Sequence, residues 1–255
     1  VRWPLSCGML LHCADSRRSA NRVQPVSMAK AASPCRRFGP QGAPCCKLLL
    51  TVIYDRSNPY AMKQNAREKI ITTGVEMVAI SGFNATGIDS ILKAAGVPKG
   101  SFYHYFGSKE NFGIEVINLF ADRYAQRLHQ YFDDQSVAPL ERIRNYLEQT
   151  IEHLTEENFS KGCLIGTLGQ ELADQNERFR DRLAEVFCDW LELFADCLRQ
   201  AQQAGSLSAR LDAKKLASFL LSGWEGAVLR AKVMRSPEPL RQFVAILFSC
   251  VLVAE

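Results

Sequence analysis

Histidine is scarce in this chain: His12, His104, His129 and His153 are the full set. Cys45 and Cys46 are adjacent and no histidine pair follows them, so no zinc-site spacing is present and no metal is expected. The chain also has no phosphate-cradling glycine loop and no dinucleotide fingerprint, which removes the usual cofactor classes. Its longest late apolar run, Phe243 to Ala254, is 12 residues between Arg241 and Glu255. A bilayer-crossing helix takes about 20, so no membrane partner is expected. Strand-type alternation is missing throughout, leaving an all-α fold. Near the start, Gly8-Met-Leu-Leu is too short for the core of a secretory signal. The nine cysteines are therefore expected as free thiols in a reducing cytoplasm.

What the chain does have is uneven. Its net charge of +4 hides 9 Lys+Arg against 2 Asp+Glu in residues 1–61, 6 against 4 in 62–110, and 16 against 21 in 111–255. A basic front on an acidic body suits a protein that presents one end to a polyanion. Residues 1–50 mix Arg, Ser, Pro, Gly and Cys without a sustained period, whereas the sequence turns periodic at Met62. Residues 1–61 are expected to lie upstream of a physiological start at Met62. The alternative is a disordered basic arm that adds non-specific DNA affinity.

From Met62 to Ser108 the pattern predicts a compact head of three helices. Ile70, Ile71, Gly74, Val75, Val78 and Ala79 recur at helical spacing over residues 64–81. A second helix is expected from about Thr86, capped by its hydroxyl with Asp89 reaching back, and ending at Gly96. Pro98 opens a third through Phe106. Two short helices joined by a tight glycine-containing turn form a helix-turn-helix, in which the later helix reads DNA. On it, Phe102, Tyr105 and Phe106 are expected to pack on the first helix, leaving Lys99, Gly100, Tyr103 and His104 outward. Five consecutive aromatic rings cannot share one buried face. Ser108 is placed to cap a fourth helix whose first amides and Lys109 would meet a phosphate.

The stretch from Gly82 through Phe-Asn-Ala-Thr-Gly-Ile-Asp-Ser-Ile-Leu-Lys-Ala-Ala-Gly-Val-Pro-Lys-Gly-Ser-Phe-Tyr-His-Tyr-Phe-Gly-Ser-Lys to Glu110 resembles the DNA-binding head of the TetR family. The resemblance implies that Lys99, Ser101, Tyr103, His104 and Lys109 contact double-stranded operator DNA. Thr86 and Gly100 join that set. Ser160 to Leu168 and Ala231 to Leu240 are similar to the NemR/AcuR-type subgroup, whose members respond to reactive electrophiles or small unsaturated carbonyl compounds. The two matches together extend over roughly residues 63–250.

Residues 109–255 read as five or six further helices forming an effector-binding and dimerisation body. These lie at about 109–133, from Pro139 to near Asn158, a short piece after Gly162, then about 177–204, 212–234 and 237–252. Leu216, Phe219, Leu220, Gly223, Trp224, Ala227 and Val228 stripe the penultimate helix; Phe243, Val244, Leu247, Phe248 and Val251 stripe the last. Apolar faces at the chain's end are expected to bury against a second copy. The resemblance implies a four-helix dimer seam, and two-fold symmetry then implies a near-palindromic operator.

Cys163 follows Lys161 and Gly162 at the expected start of a helix, where the N-terminus and a cation would lower a thiol's pKa. It is the expected sensing residue; the subgroup match alone adds Lys232 as its neighbour. Phe187, Trp190, Phe194 and Trp224 are candidate pocket residues. Cys188, Cys197 and Cys250 sit in apolar stripes as plain packing thiols. The function expected is a ligand-responsive repressor. One alternative is an enzyme with Cys163 as nucleophile; His153 is near in sequence, but nothing places a third, orienting group. The other is a helical adaptor without DNA binding.

Overall fold

The computed structural model describes residues 66–253. The expectations for residues 1–61 lie outside the described residues. Nine α-helices are present among those described: α1 (Ala66–Ser81), α2 (Ile88–Ala95), α3 (Gly100–Phe106), α4 (Lys109–Phe132), α5 (Pro139–Glu156), α6 (Leu164–Leu172), α7 (Glu177–Gln203), α8 (Ala213–Met234) and α9 (Glu238–Ile246). A π-helical turn, Leu247–Val251, carries α9 onward. No strand occurs among the described residues.

The first three helices enclose one small core. Ile70, Ile71, Val75 and Val78 of α1 face Ile91 and Leu92 of α2 and Phe102 and Phe106 of α3, all buried. Phe112, from the first turn of α4, completes it, with ring centroids 5.3 Å from Phe102 and 5.2 Å from Phe106. Burying each such ring contributes about 1.5–3 kcal/mol. The first turn of α4 thus packs its ring against the head's core. Ser108 caps that helix as expected, its hydroxyl accepting the Asn111 N–H at 3.0 Å.

Two local expectations are corrected. Helix α2 begins at Ile88, not Thr86, with Gly87 as its uncapped lead residue. Thr86 is 3% exposed, and its hydroxyl donates to the Gly82 carbonyl at 2.5 Å, closing the α1–α2 turn instead of capping a helix. The third helix starts two residues after Pro98, through a tight turn in which the Ser101 N–H bonds the Pro98 carbonyl at 3.1 Å. Between α2 and α3 the backbone must turn left-handed, and Gly96 does so at φ 65°.

In the body, α4, α5 and α7 share a core that includes Tyr146, Leu147, Leu128, Trp190 and Phe194. Arg142 is buried there without a carboxylate partner. Its guanidinium donates to the Val137 carbonyl at 2.8 Å, the Phe132 carbonyl at 2.9 Å and Gln200 Oε1 at 2.8 Å. The α4–α5 loop is thereby pinned to α7, and the buried donors are satisfied. No helix among the described residues is long and apolar enough to cross a membrane.

Candidate DNA-reading face and effector site

Helix α3 is held by two rings and exposes the rest. Phe102 and Phe106, one turn apart, are buried, while Tyr103 is 57% exposed and His104 is exposed. Tyr105 corrects the expectation that it packs inward. It lies 39% exposed, because 100° of rotation separates it from Phe106 and only one line of the helix faces α1. Gly100 is exposed and open around its α-carbon, and Ser101 is half-buried beside it. Lys99 is exposed and points toward Asp89 of α2, Nζ to Oδ2 at 2.8 Å; that hydrogen bond and charge raise its pKa further. Lys99, Gly100, Tyr103 and His104 thus share one outward surface. Thr86 does not join it, being enclosed in the α1–α2 turn. Lys109 stands at the start of α4, half-buried, over the Phe83 ring at 4.8 Å and donating to the Asn84 carbonyl at 3.4 Å.

The second site lies where α6 meets α8. Cys163 is the N-cap of α6, half-buried, its Sγ accepting the Gly166 N–H at 3.5 Å. The expected fall in thiol pKa is corrected: burial, and then the charge of the nearby Glu225 carboxylate, push it well above the ordinary value. Loss of water and a nearby carboxylate outweigh the single amide of the helix end. Glu225, on α8, is itself raised by burial, offset in part by the neighbouring thiol. A Cβ on Gly166 would sit 2.5 Å from Glu225 Oε2, so the carboxylate occupies the space that glycine leaves. Lys232 lies near as well; its Cδ is 3.4 Å from where a Cβ on Gly162 would stand.

A row of aromatic rings runs between α4 and α7. Tyr124 of α4 stacks on Trp190 of α7 at 3.8 Å and meets the ring of buried Tyr146 edge-on at 6.0 Å. Burial holds both phenols above their ordinary value. Phe187 meets the Trp190 edge at 5.9 Å and belongs to the same row. Phe194 is buried against Tyr146 and Phe132 as core. Trp224 corrects the pocket set: it packs on Phe243 between α8 and α9, a different side of α8 from Glu225. Sequence reading missed Glu225, Tyr124 and Tyr146 as site residues. The one available signal was Glu225 itself, a lone acid in the apolar run Phe219 to Leu229.

Residues 70–116 match the family model for bacterial regulatory proteins of the tetR family, and residues 139–247 match the tetracyclin repressor-like C-terminal domain. The chain is 40% identical to the transcriptional regulator AcuR of Cereibacter sphaeroides over 208 residues, 82% of this chain and 87% of that one. The chain belongs to the TetR family. Among solved TetR-family structures, a regulatory protein TetR from Rhodobacter sphaeroides superposes with a TM-score of 0.68 at 42% identity, covering 71% of this chain and 95% of that one. The reduced form of Escherichia coli NemR gives a TM-score of 0.68 at 32% identity, covering 74% and 98%. These relatives are named regulators and a repressor, not enzymes. The chain is thus a helix-turn-helix transcriptional regulator.

Within this TetR-family body the expected dimer stripe is largely corrected. Leu220, Ala227 and Leu247 are buried in the protomer's own core, and Gly223 is pressed by Phe243, a Cβ there lying 2.5 Å from its ring. Leu216 and Val251 are half-buried, as is Phe248 beneath the Arg144 guanidinium at 4.0 Å. Only Phe219 of that set is exposed. The reason is that α8 and α9 pack on each other first. A second outward stripe remains, of Phe219, Leu229 and Val233 on α8 and Ile246 and Val253 beyond it.

Proposed function

We propose that this regulator is a homodimeric repressor, seated on a near-palindromic operator by two α3 faces and released when a small electrophile reaches Cys163. In this reading residues 62–108 form the DNA-binding head and residues 109–255 the effector-binding and dimerisation body, acting in the cytoplasm where the chromosome lies. The observation that carries it is the outward set Lys99, Tyr103 and His104 on a helix anchored by Phe102 and Phe106. A cation, a phenol and an imidazole supply phosphate contact and base-edge hydrogen bonding, while Gly100 permits close approach to the groove wall. Lys109 and Ser101 flank the face as further phosphate contacts.

The outward apolar stripe of Phe219, Leu229, Val233 and Ile246 supports pairing with a second copy, since such a patch is rarely left in water. Two-fold pairing sets the two α3 helices about one DNA turn, ~34 Å, apart. Effector capture at Cys163, the cap of α6, disturbs a helix whose far end holds the head. A coupling of about 1–3 kcal/mol changes operator occupancy roughly 5–150-fold.

The test is a footprint of the flanking DNA with and without a panel of α,β-unsaturated carbonyl compounds, using wild type and Cys163→Ser. Protection of a two-fold site, lost with electrophile in wild type and kept in the variant, is the expected result. Equal release of both proteins would discard the cysteine sensor and leave the repressor. Absence of any footprint from a folded dimer would discard the repressor.

A further inference from the structure

The thiol and carboxyl between α6 and α8 form an acid–base couple with a defined surrounding. The charges of both groups act on Tyr124 of α4, and that of Cys163 on Tyr146 of α5. Helix α7 contributes the uncharged Trp190. Lys232, two turns beyond Glu225 on α8, lays its stem against Gly162. Farther out, Arg127 lies over the Tyr146 ring at 5.8 Å, Lys161 pairs with Glu157 at 3.0 Å, and half-buried His153 is held below its ordinary pKa by burial. Of all these, Glu225 is the carboxyl that shares the space beside Gly166 with the thiol: a Cβ there would lie 2.5 Å from Glu225 Oε2 and 3.7 Å from Cys163 Cβ.

We propose that Glu225 is the proton acceptor for Cys163, seated by the missing side chain of Gly166, and that it takes the S–H proton as the sulfur attacks an electrophile. The proposal rests on the reading of Cys163 as the sensing thiol. A half-buried thiol beside a carboxylate holds few free thiolates at neutral pH, so nucleophilic attack requires a partner that removes the proton as the bond forms. Burial makes Glu225 a stronger base than an ordinary carboxylate. With an α,β-unsaturated carbonyl compound the step balances without an oxidant. The sulfur bonds to the alkene carbon remote from the carbonyl, and the alkene π pair moves toward the carbonyl oxygen. Glu225 receives the thiol proton and returns it to the carbon next to the carbonyl. The net change is addition of S–H across the double bond.

The experiment measures adduct formation by acrylamide on the full-length protein, site by site, by mass spectrometry from pH 5.5 to 9. Exposed Cys250 serves as the internal reference. In wild type the Cys163 rate is expected to rise with pH and level off once Glu225 is ionised. Glu225→Gln is expected to slow Cys163 by about 100-fold near pH 7, with a rate that then climbs tenfold per pH unit. Gly166→Ala, which evicts the carboxylate while keeping both groups in the chain, is expected to share that loss, and Glu225→Asp to recover part of it. A Glu225→Gln protein that reacts as fast as wild type or faster overturns the proposal, because the carboxylate would then only be holding the thiol protonated. Wild type without an adduct at Cys163 overturns both this and the sensor reading. An adduct at Cys163 that leaves operator binding intact overturns the sensor reading alone and leaves Glu225 as the proton acceptor.

Discussion

Glu171 holds Phe83: its Oε2 accepts the Phe83 backbone N–H at 2.8 Å, while Oε1 accepts that of Asn84 at 2.6 Å. Glu171 lies in the last turn of α6, whose first residue is capped by Cys163. One helix, about 13 Å long, therefore runs from the thiol to the α1–α2 turn of the head. Phe83 also meets Phe179 at 5.2 Å, and Arg178 reaches Asn111 at 2.6 Å, so the joint is both polar and apolar.

Replacing Glu171 with Ala leaves two backbone donors without their charged acceptor. Hydrogen bonds to a carboxylate contribute about 1.5–3 kcal/mol each, so the melting temperature is expected to fall by several degrees. The head is also expected to respond less to effector, because α6 no longer grips it. Calorimetry and effector-titrated operator binding measure the two effects; unchanged release by effector would show that the coupling runs elsewhere.

Lys99→Ala is expected to leave folding stability within about 0.5 kcal/mol, since the Lys99–Asp89 pair is exposed. Operator affinity is expected to drop, with the slope of log affinity against log salt reduced by about 1. Binding isotherms at several salt concentrations give that slope. An unchanged slope would take Lys99 off the phosphate backbone.

Leu229 and Leu220 lie on opposite sides of α8, one 46% exposed and the other fully buried. Leu229→Glu is expected to yield a folded monomer by sedimentation, whereas Leu220→Ala is expected to cost about 2–5 kcal/mol of protomer stability. A dimer that survives Leu229→Glu would move the interface off the outward stripe.

Glu225 also imposes a pH dependence whose sign is fixed. Its carboxyl keeps its proton more tightly in the folded protein than at the ordinary value of 4.5. That contribution to stability is complete below the unfolded value and is lost as pH rises through the raised folded value. Cys163 acts in the same direction, losing its contribution above the ordinary thiol value of 9.0. Urea midpoints of wild type are therefore expected to decline from pH 5 to 8 relative to Glu225→Gln. Parallel curves, or a wild type that gains on the variant, would contradict a raised carboxyl.

Much of the head was legible in the chain. Ile70, Ile71, Gly74, Val75, Val78 and Ala79 were read as one face of a helix, and all six are buried. Tyr103 and His104 were read as outward and are exposed. Thr86 was misread because a hydroxyl before an apolar run suits both a cap and a turn-closing donor; the choice depended on the Gly82 carbonyl folding back to meet it. In the stripes of α8 and α9, Leu220, Ala227 and Leu247 were given to a second copy but are covered by the protomer's own core, while Phe219 stays outward. An apolar stripe states that it must be covered, not by what.

The amino-acid order by itself determined the helices and the helix-turn-helix, because 3.6-residue periodicity, caps and glycine turns act between residues a few positions apart. Tertiary structure alone decided the state of Cys163. Read locally, the cysteine has only a helix end and a lysine beside it, which argue for an acidic thiol. Glu225, 62 positions later, reverses that. Packing α8 on α6 removed the water and placed a carboxyl where Gly166 has no side chain, and in a desolvated contact such a neighbour outweighs anything the local sequence supplies.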